Sequence, residues 1–246
     1  MTLTAKTTTA ALKAHVFGLL KDAGFDDWTG RKAWRRRAGC IDTVEFRSVS
    51  SYDAQVMGCS TASLSVWFGS WPDCFLPAQY RLKQGPKGPR PNEYEMPLRG
   101  HLVPSNGMAV RMSRQIWDIR TEDDATKAAQ DVATQLQDAA LAWLSIEWDA
   151  QKLLDHIEAS TGYEDPIHSS PTGARLSVAC GKHDSPASRF AMAQLEQSLA
   201  RYADAADLYE KSRYALNHTT QEMRLFRDPV EDTLIADLAA QCRAKA

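Results

Sequence analysis

The sequence lacks the patterns that identify a secreted disulfide-bonded protein, a protein with a structural zinc site or a membrane-spanning protein. Its five cysteines are odd in number and include no C-x-x-C pair, which argues against a disulfide framework or a zinc knuckle. No run approaches the roughly 18 consecutive apolar residues that a membrane span needs. The apolar part of the N-terminal segment is interrupted by Lys13, Lys21 and Asp22, and no small-residue cleavage site follows. We therefore expect a cytoplasmic protein without membrane association.

Signatures of catalysis and of nucleotide binding are also missing. The sequence contains no G-x-S-x-G motif, no Walker or G-x-G-x-x-G pattern and no H-E-x-x-H or H-x-H. Adjacent carboxylates, such as Asp123-Asp124 and Glu231-Asp232, sit near expected helix starts, where they complement the positive end of the helix dipole. We expect no metal, no cofactor and no catalytic residue, and the balance favours a protein that is not an enzyme.

The overall charge gives no drive toward polyanions. The 246 residues include 29 basic and 31 acidic side chains, so the formal net charge is −2. Apolar residues make up 43% and charged residues 24% of the chain, an ordinary globular balance. The net charge therefore does not favour binding to nucleic acid or to an anionic membrane.

The first part of the chain reads as one helix followed by a sheet. Apolar residues at helical spacing predict a helix over 9–23, and Gly24 suits the left-handed position after its last turn. The Thr-rich residues before it are expected to fray, with Thr8 or Thr9 as its cap. Period-two alternation then predicts half-buried antiparallel strands over 33–37, 43–48 and 62–68, with a loop from Ser50 to Ser60.

Prolines and glycines dominate the next segment. Seven prolines between residues 69 and 107 forbid long regular elements. The stretch KQGPKGPRPNE is expected to be a mobile surface loop. Short strands are predicted at Leu98–Val103 and at Ile116–Ile119.

Helices account for most of the remaining chain. Thr121 and Asp124 form a capping-box pattern for a helix ending near Leu144, and Asp149 caps another that Gly162 closes. Pro186 and Pro229 each follow a capping residue and open further helices, with one over 203–216 between them. These signals divide the chain into an α+β domain over 1–162, a linker or irregular segment over 163–185 and a C-terminal helical hairpin or bundle over 186–246.

The first of these domains resembles a known bacterial family. Gly24-Phe25 at the end of the helix, Trp34, Val44-Glu45-Phe46 and the run VWFG from Val66 to Gly69 are similar to the start of the family called domain of unknown function 4304. The likeness continues through LRGHL from Leu98, Trp117 and the helix from Thr121, and covers about residues 9–160. It departs at Arg47, where the family has glutamine, and at a proline-rich insertion near residue 85. The family has no established activity, so the resemblance implies an antiparallel sheet packed by an N-terminal and a long helix, and no function.

The C-terminal stretch FAMAQLEQSLARYADAADLYEKSRYAL is similar to one tetratricopeptide unit. A single unit cannot bury its own apolar face, and stable arrays need about three. The alternative is an ordinary helical hairpin packed on neighbouring structure.

Candidate binding residues lie on the expected strands. The basic cluster Arg31–Arg37 has two interpretations: contact with phosphates, or the long charged side chains that commonly decorate an edge strand. Trp67 points to the face of its strand opposite the apolar Leu64, Val66 and Phe68, which predicts an aromatic ring on the solvent side of the sheet. The alternative is that helices cover both faces of the sheet and bury Trp67. The full set of candidate binding residues is Arg35, Arg37, Arg47, Trp67, Trp71, Arg99 and His101.

Two functions remain open from the sequence. The first is a non-enzymatic protein-interaction module, such as a bacterial immunity or defence binder, with an unidentified protein partner. The alternative is an enzyme or binder acting on nucleic acid or nucleotides, in which Arg35, Arg37 and His101 converge in one pocket with neighbouring acids.

Overall fold

The computed structural model describes residues 3–75, 83–93, 96–105, 108–110, 113–159, 175–176, 186–216, 223–225 and 229–246. It divides the chain into two compact units. Of the described residues, the sheet unit holds 3–71, those between 83 and 146, and Arg175. The helical unit holds 72–75, 147–159, Leu176 and those from 186 onward.

Helices and an antiparallel sheet build the sheet unit. In chain order its elements are α1 (Ala5–His15), α2 (Phe17–Asp22), β1 (Asp27–Thr29), β2 (Lys32–Arg37), β3 (Cys40–Ser48), α3 (Ser51–Met57), β4 (Leu64–Pro72), β5 (Gln84–Gly85), β6 (Gly88–Pro89), β7 (Leu98–His101), β8 (Ala109–Val110), β9 (Ser113–Trp117), α4 (Glu122–Gln135), a π-helical turn (Leu136–Ala140) and α5 (Leu141–Leu144). Strands β1, β2, β3, β4 and β7 follow one another across the sheet, and β9 also pairs with β4. The predicted α+β class is confirmed.

The two faces of this sheet differ in composition. Its inner face carries buried apolar side chains and, on β2 and β3, the charged Arg35, Arg37 and Asp42. Rings from the helices pack on this face: the centroids of Phe17 and Phe46 lie 5.7 Å apart, and those of Trp143 and Phe68 lie 5.2 Å apart. Its outer face carries polar, charged and aromatic residues. Alternation along each strand separates the two sets, because successive side chains of a strand point to opposite faces.

The proline-rich residues 83–93, called the strap below, lie on the outer face. The Trp34 indole donates to Pro91 O at 2.8 Å, and Arg36 donates to Pro89 O at 2.6 Å. Arg90 Nε lies 3.0 Å from Asp27 Oδ1 on β1. The expectation of a mobile surface loop missed these contacts, because the partners lie more than fifty residues away in sequence.

The N-terminal helix starts earlier than predicted. It begins at Ala5 with Thr4 as its cap, and Thr8 is buried with its hydroxyl donating to Ala62 O at 2.6 Å. The residues expected to fray are therefore helical from Ala5 onward. Gly24 has the predicted left-handed conformation at φ 89°, and Phe25 folds back fully buried.

Other boundaries shift in the same unit. The predicted loop after residue 50 contains α3, whose cap is the Ser50 hydroxyl, 3.0 Å from the Asp53 N–H. The capping box of Thr121 and Asp124 is present as predicted. The helix that follows is interrupted by the π-helical turn, which the amphipathic pattern did not indicate.

The helical unit contains α6 (Ala150–Ala159), α7 (Pro186–Ser198), α8 (Tyr202–Ser212), β11 (Tyr214–Leu216), β12 (Met223–Leu225) and α9 (Pro229–Arg243), and the short strand β10 (Arg175–Leu176) falls at the division between the units. Pro186 and Pro229 open helices as predicted, and Asp149 caps α6 through Lys152 N at 2.8 Å. The helix predicted over 203–216 instead ends at Ser212, and the next residues form a hairpin with β12.

Small side chains allow the helices of this unit to pack closely. Tyr209 is fully buried, and its hydroxyl donates to Gln197 Oε1 at 2.6 Å. Its surroundings are Ala193, Ala205, Ala206, Ile235, Ala239 and Cys242. This core forms an α7–α8 hairpin closed by α9, and the likeness to a tetratricopeptide unit stays a prediction.

Helix α6 belongs to the helical unit, where Arg201 donates to Gln151 Oε1 at 2.8 Å. Between α5 and α6, the division between the two units lies between Ile146 and Glu147. The division of the chain into domains at residue 162 stays a prediction. The predicted linker 163–185 falls outside the described residues except at Arg175 and Leu176. Among the described helices, none is long and apolar enough to cross a membrane.

Candidate functional site

Strand register brings charged and aromatic residues together on the outer face. Lys32 on β2 lies opposite Glu45 on β3, and Trp67 on β4 lies opposite His101 on β7. Arg47 follows Glu45 by two residues and so shares its face. We call Lys32, Glu45, Arg47, Trp67, Glu93, Arg99 and His101 the outer-face cluster.

Ion pairs tie this cluster to the strap. Lys32 Nζ and Arg47 Nε each lie 3.0 Å from Glu45 Oε1. Arg47 Nη2 lies 2.8 Å from Glu93 Oε2, at the end of the strap. Arg47 therefore bridges two carboxylates that come from different parts of the chain, which fixes its position on the sheet.

The aromatic part of the cluster is held on several sides. The Trp67 and His101 rings lie 5.1 Å apart at 48°. The Arg47 guanidinium carbon lies 5.3 Å from the centroid of the Trp67 ring, a distance typical of cation–π contact. The Trp67 indole N–H donates to Ser65 Oγ at 3.2 Å. The ring is half-buried and has little freedom to reorient.

Glu93 is the most buried charged group of the cluster. Only 1% of its surface is exposed, and Oε1 has no hydrogen-bond partner among the described residues. Burial raises the pKa of this carboxyl, and the charges of Arg47 and Arg99 oppose that effect only in part. Arg99 approaches Oε1 no closer than 4.0 Å, and its own Nε is also buried without a partner within the described ranges.

Two of the sequence candidates lie on the opposite face of the sheet from this cluster. Arg35 and Arg37 lie on the inner face, where alternation places them opposite Asp42 and Cys40. The nearest atoms of both guanidinium groups lie within 2.9 Å of the fully buried Asp42 Oδ2. Arg35 and Arg37 therefore do not share a face with Arg47 and Trp67, because Arg47 is an even number of residues from Glu45 and an odd number from Asp42.

The inner-face arginines Arg35 and Arg37 also bind backbone carbonyls at and after the end of α5. Arg35 Nη2 donates to Leu144 O at 3.3 Å, and Arg37 Nη2 donates to Ile146 O at 3.0 Å. Cations at the C-terminal end of a helix satisfy carbonyls that have no partner within the helix. The convergence of Arg35, Arg37 and His101 that a nucleotide-acting enzyme would need is therefore not assembled.

Asp42 also gathers a serine and a cysteine, which resemble the components of a nucleophilic centre. Ser70 Oγ donates to Asp42 Oδ1 at 2.6 Å, and Cys40 Sγ lies 2.8 Å from Ser70 Oγ. Burial, with the nearby Asp42 charge, raises the pKa of Cys40 to about 12. A nucleophilic thiol needs a lowered pKa. We therefore infer that Asp42, Ser70 and Cys40 stabilise the fold.

The rest of the basic cluster is also engaged within the protein. Arg36 Nη1 pairs with Asp27 at 3.0 Å, and Arg31 donates to Thr9 Oγ1 at 2.9 Å and to Ser48 Oγ at 2.8 Å. The interpretation as an edge strand is wrong, because β2 pairs with β1 on one side and with β3 on the other. The basic side chains instead cross-link strands, helix and strap.

Trp71, the last aromatic candidate, is half-buried and lies on the same face of β4 as Trp67 by alternation. Sequence reasoning missed Lys32, Glu45 and Glu93 as members of the cluster. Period-two spacing from Arg47 was enough to find Glu45. Glu93 had no local signal, because its place on the sheet depends on the path of the strap.

Metal binding has no support in the described ranges, where no three His, Cys, Asp or Glu side chains come together in a way that could hold an ion. No family model matches the chain, and the searches of curated proteins and of solved structures found no match. The likeness to the domain of unknown function 4304 therefore stays a prediction.

Proposed function

We propose that this protein is a non-enzymatic interaction module that binds a protein partner through the outer-face cluster. The observation that carries the proposal is the half-exposed Trp67 ring, held between Arg47 and His101. Tryptophan and arginine are the residue types most often found at the energetic centre of protein interfaces. A ring that is already fixed before binding loses less conformational entropy in the complex.

The state of the neighbouring charges supports the same function. Glu45 and Glu93 form ion pairs with Arg47 that fix its position. The side chains of Arg47 and Arg99 are 33% and 26% exposed. Partly desolvated cations beside an aromatic ring are typical of interface cores, whose rim stays polar. An immunity or defence role would be one form of this function, with a toxin or phage protein as partner.

The test is a comparison of three proteins, namely the wild type, Trp67→Ala and Tyr52→Ala. Tyr52 is 74% exposed on α3 and is the matched aromatic control. Each protein is immobilised and exposed to a native-host lysate, and the captured proteins are quantified by mass spectrometry. We expect one partner to be retained by the wild type and by Tyr52→Ala, and to be lost with Trp67→Ala.

The captured partner is then purified and titrated against the same three proteins. Loss of a hot-spot aromatic costs about 2 kcal/mol or more, so the Kd should rise by at least about tenfold for Trp67→Ala. Near-ultraviolet circular dichroism verifies that the variant is folded. Capture of no protein above background, or equal capture by Trp67→Ala, would overturn the proposal.

A further inference from the structure

The charges of the outer-face cluster do not balance. Among the described residues at this end of the sheet, Lys32, Arg47 and Arg99 face the two carboxylates Glu45 and Glu93. Lys32 and Arg47 both bind Glu45, and Arg47 also binds Glu93 at 2.8 Å. One positive charge is left over, on a chain whose formal net charge is −2.

Arg99 carries this surplus. Its closest described carboxylate oxygen, Glu93 Oε1, lies 4.0 Å from Nη1, which is beyond hydrogen-bond distance. A guanidinium has five N–H donors, and the described contacts of Arg99 include no hydrogen bond to a carboxylate. Its side chain is 26% exposed, so its outer edge can be reached from solvent.

The chemistry of Arg99 favours a carboxylate as its ligand. The planar fork of a guanidinium matches a carboxylate in a two-point hydrogen bond, and burial of the pair strengthens it. Glu93 Oε1, which has no hydrogen-bond partner among the described residues, lies 4.0 Å from Arg99 Nη1. Burial raises the pKa of the Glu93 carboxyl, which disfavours its charged form.

The rings next to Arg99 favour a protein ligand over a nucleic acid. Recognition of single-stranded nucleic acid uses aromatic faces on which bases stack. The Arg47 guanidinium already lies over Trp67, and His101 packs against the same ring. An apolar side chain, which needs only an edge of the ring, fits this arrangement.

We propose, on the basis of the interaction function above, that the outer face binds an acidic segment of its protein partner. Arg99 donates to a partner carboxylate, and the Trp67–His101 pair packs against the apolar residue next to it. The class of partner is thus an acidic, partly apolar peptide segment on a protein surface.

The test uses a defined probe, a blocked peptide with the sequence Glu-Leu-Glu-Leu-Glu, titrated by calorimetry into the full-length protein. We expect weak but saturable binding that Arg99→Gln weakens about tenfold, the effect of losing a hydrogen bond between charged groups. Arg120→Gln is the matched control, because Arg120 is 62% exposed and pairs with Asp118 outside the cluster. The Gln-Leu-Gln-Leu-Gln peptide should not bind.

Several outcomes would overturn this inference. They are absence of binding at millimolar peptide, equal affinity of Arg99→Gln and the wild type, and tighter binding of a thymidine oligonucleotide than of the peptide. The two proposals fail separately. If the captured partner is lost with Trp67→Ala but retained in full by Arg99→Gln, the interaction surface stands and the acidic segment does not.

Discussion

The Arg90 guanidinium holds the Asp27 carboxylate across the edge of the sheet, with Nε 3.0 Å from Oδ1 and 3.1 Å from Oδ2. Asp27 is 3% exposed and also binds Arg36. This pairing attaches the strap to β1, and the strap in turn delivers Glu93 to the outer-face cluster.

Replacement of this carboxylate should release the strap. In Asp27→Asn, two half-buried guanidinium groups lose their anion, so we expect the strap amides to exchange hydrogen about tenfold faster than in the wild type. Hydrogen exchange with mass spectrometry measures this directly. Asp26→Asn is the matched control, since Asp26 forms an exposed pair with Lys87. Equal exchange in the two variants would show that Asp27 does not anchor the strap.

The inner-face centre at Asp42 should be the most sensitive charged position. Asp42 is fully buried and binds Arg35, Arg37 and Ser70. Removal of one partner from a buried ion pair costs about 3–5 kcal/mol, so Asp42→Asn should lower the free energy of unfolding by about that amount in urea denaturation.

The control for this variant is Asp123→Asn, at an exposed i,i+4 pair with Lys127 on α4. Such surface pairs contribute little to stability. If both substitutions lower the unfolding free energy by the same small amount, the Asp42 centre is not the support for β2, β3 and β4 that its geometry indicates.

Thiol reactivity should distinguish the cysteines. The pKa of Cys40 is raised to about 12 and that of Cys74 to about 11, in both cases chiefly by burial. Both should resist iodoacetamide in the folded protein at pH 8, because the thiolate is the reactive form. Cys59 is half-buried, as Cys74 is, and is the internal comparison. Peptide mass spectrometry locates the label, and rapid alkylation of Cys40 before unfolding would contradict this assignment.

Glu93 should give the protein a pH-dependent stability. Its folded-state pKa is raised above the unfolded value of 4.5, so between these two values the folded state holds more protons than the unfolded state. Stability therefore falls as pH rises through that window. The glutamine side chain of the variant Glu93→Gln stays neutral at every pH. The unfolding free energy of this variant should therefore rise relative to that of the wild type as pH increases from 4.5.

Urea denaturation at a series of pH values from 4.5 to about 8 tests this expectation, because the window opens upward from the unfolded value. Glu147→Gln, at an exposed position, is the reference for the loss of one carboxylate. A constant difference between Glu93→Gln and the wild type across the series would contradict the raised pKa.

The sequence by itself determined the helix ends and the strand faces, because these depend on residues that are neighbours along the chain. Gly24 could be assigned because a left-handed residue is needed after a helix, and the α4 start because Thr121 and Asp124 satisfy each other's backbone donors. Alternation assigned Trp67 to the face opposite Phe68, since side chains of a strand point alternately to its two sides.

Tertiary structure alone decided what the charged residues do. Arg35, Arg47 and Arg99 are equivalent in the sequence as cations on strands, yet Arg35 binds a buried carboxylate and Arg47 bridges two. Arg99 forms no hydrogen bond to a carboxylate of the described residues. The difference depends on partners 7, 46 and 6 residues away (Asp42, Glu93 and Glu93), which the strap and the strand order bring to these positions. The chain by itself specifies which face of its own strand a side chain takes. Whether a charge on that face is neutralised depends on which groups the fold brings within a few ångströms, because ion pairing acts over distance in space and takes no account of separation along the chain.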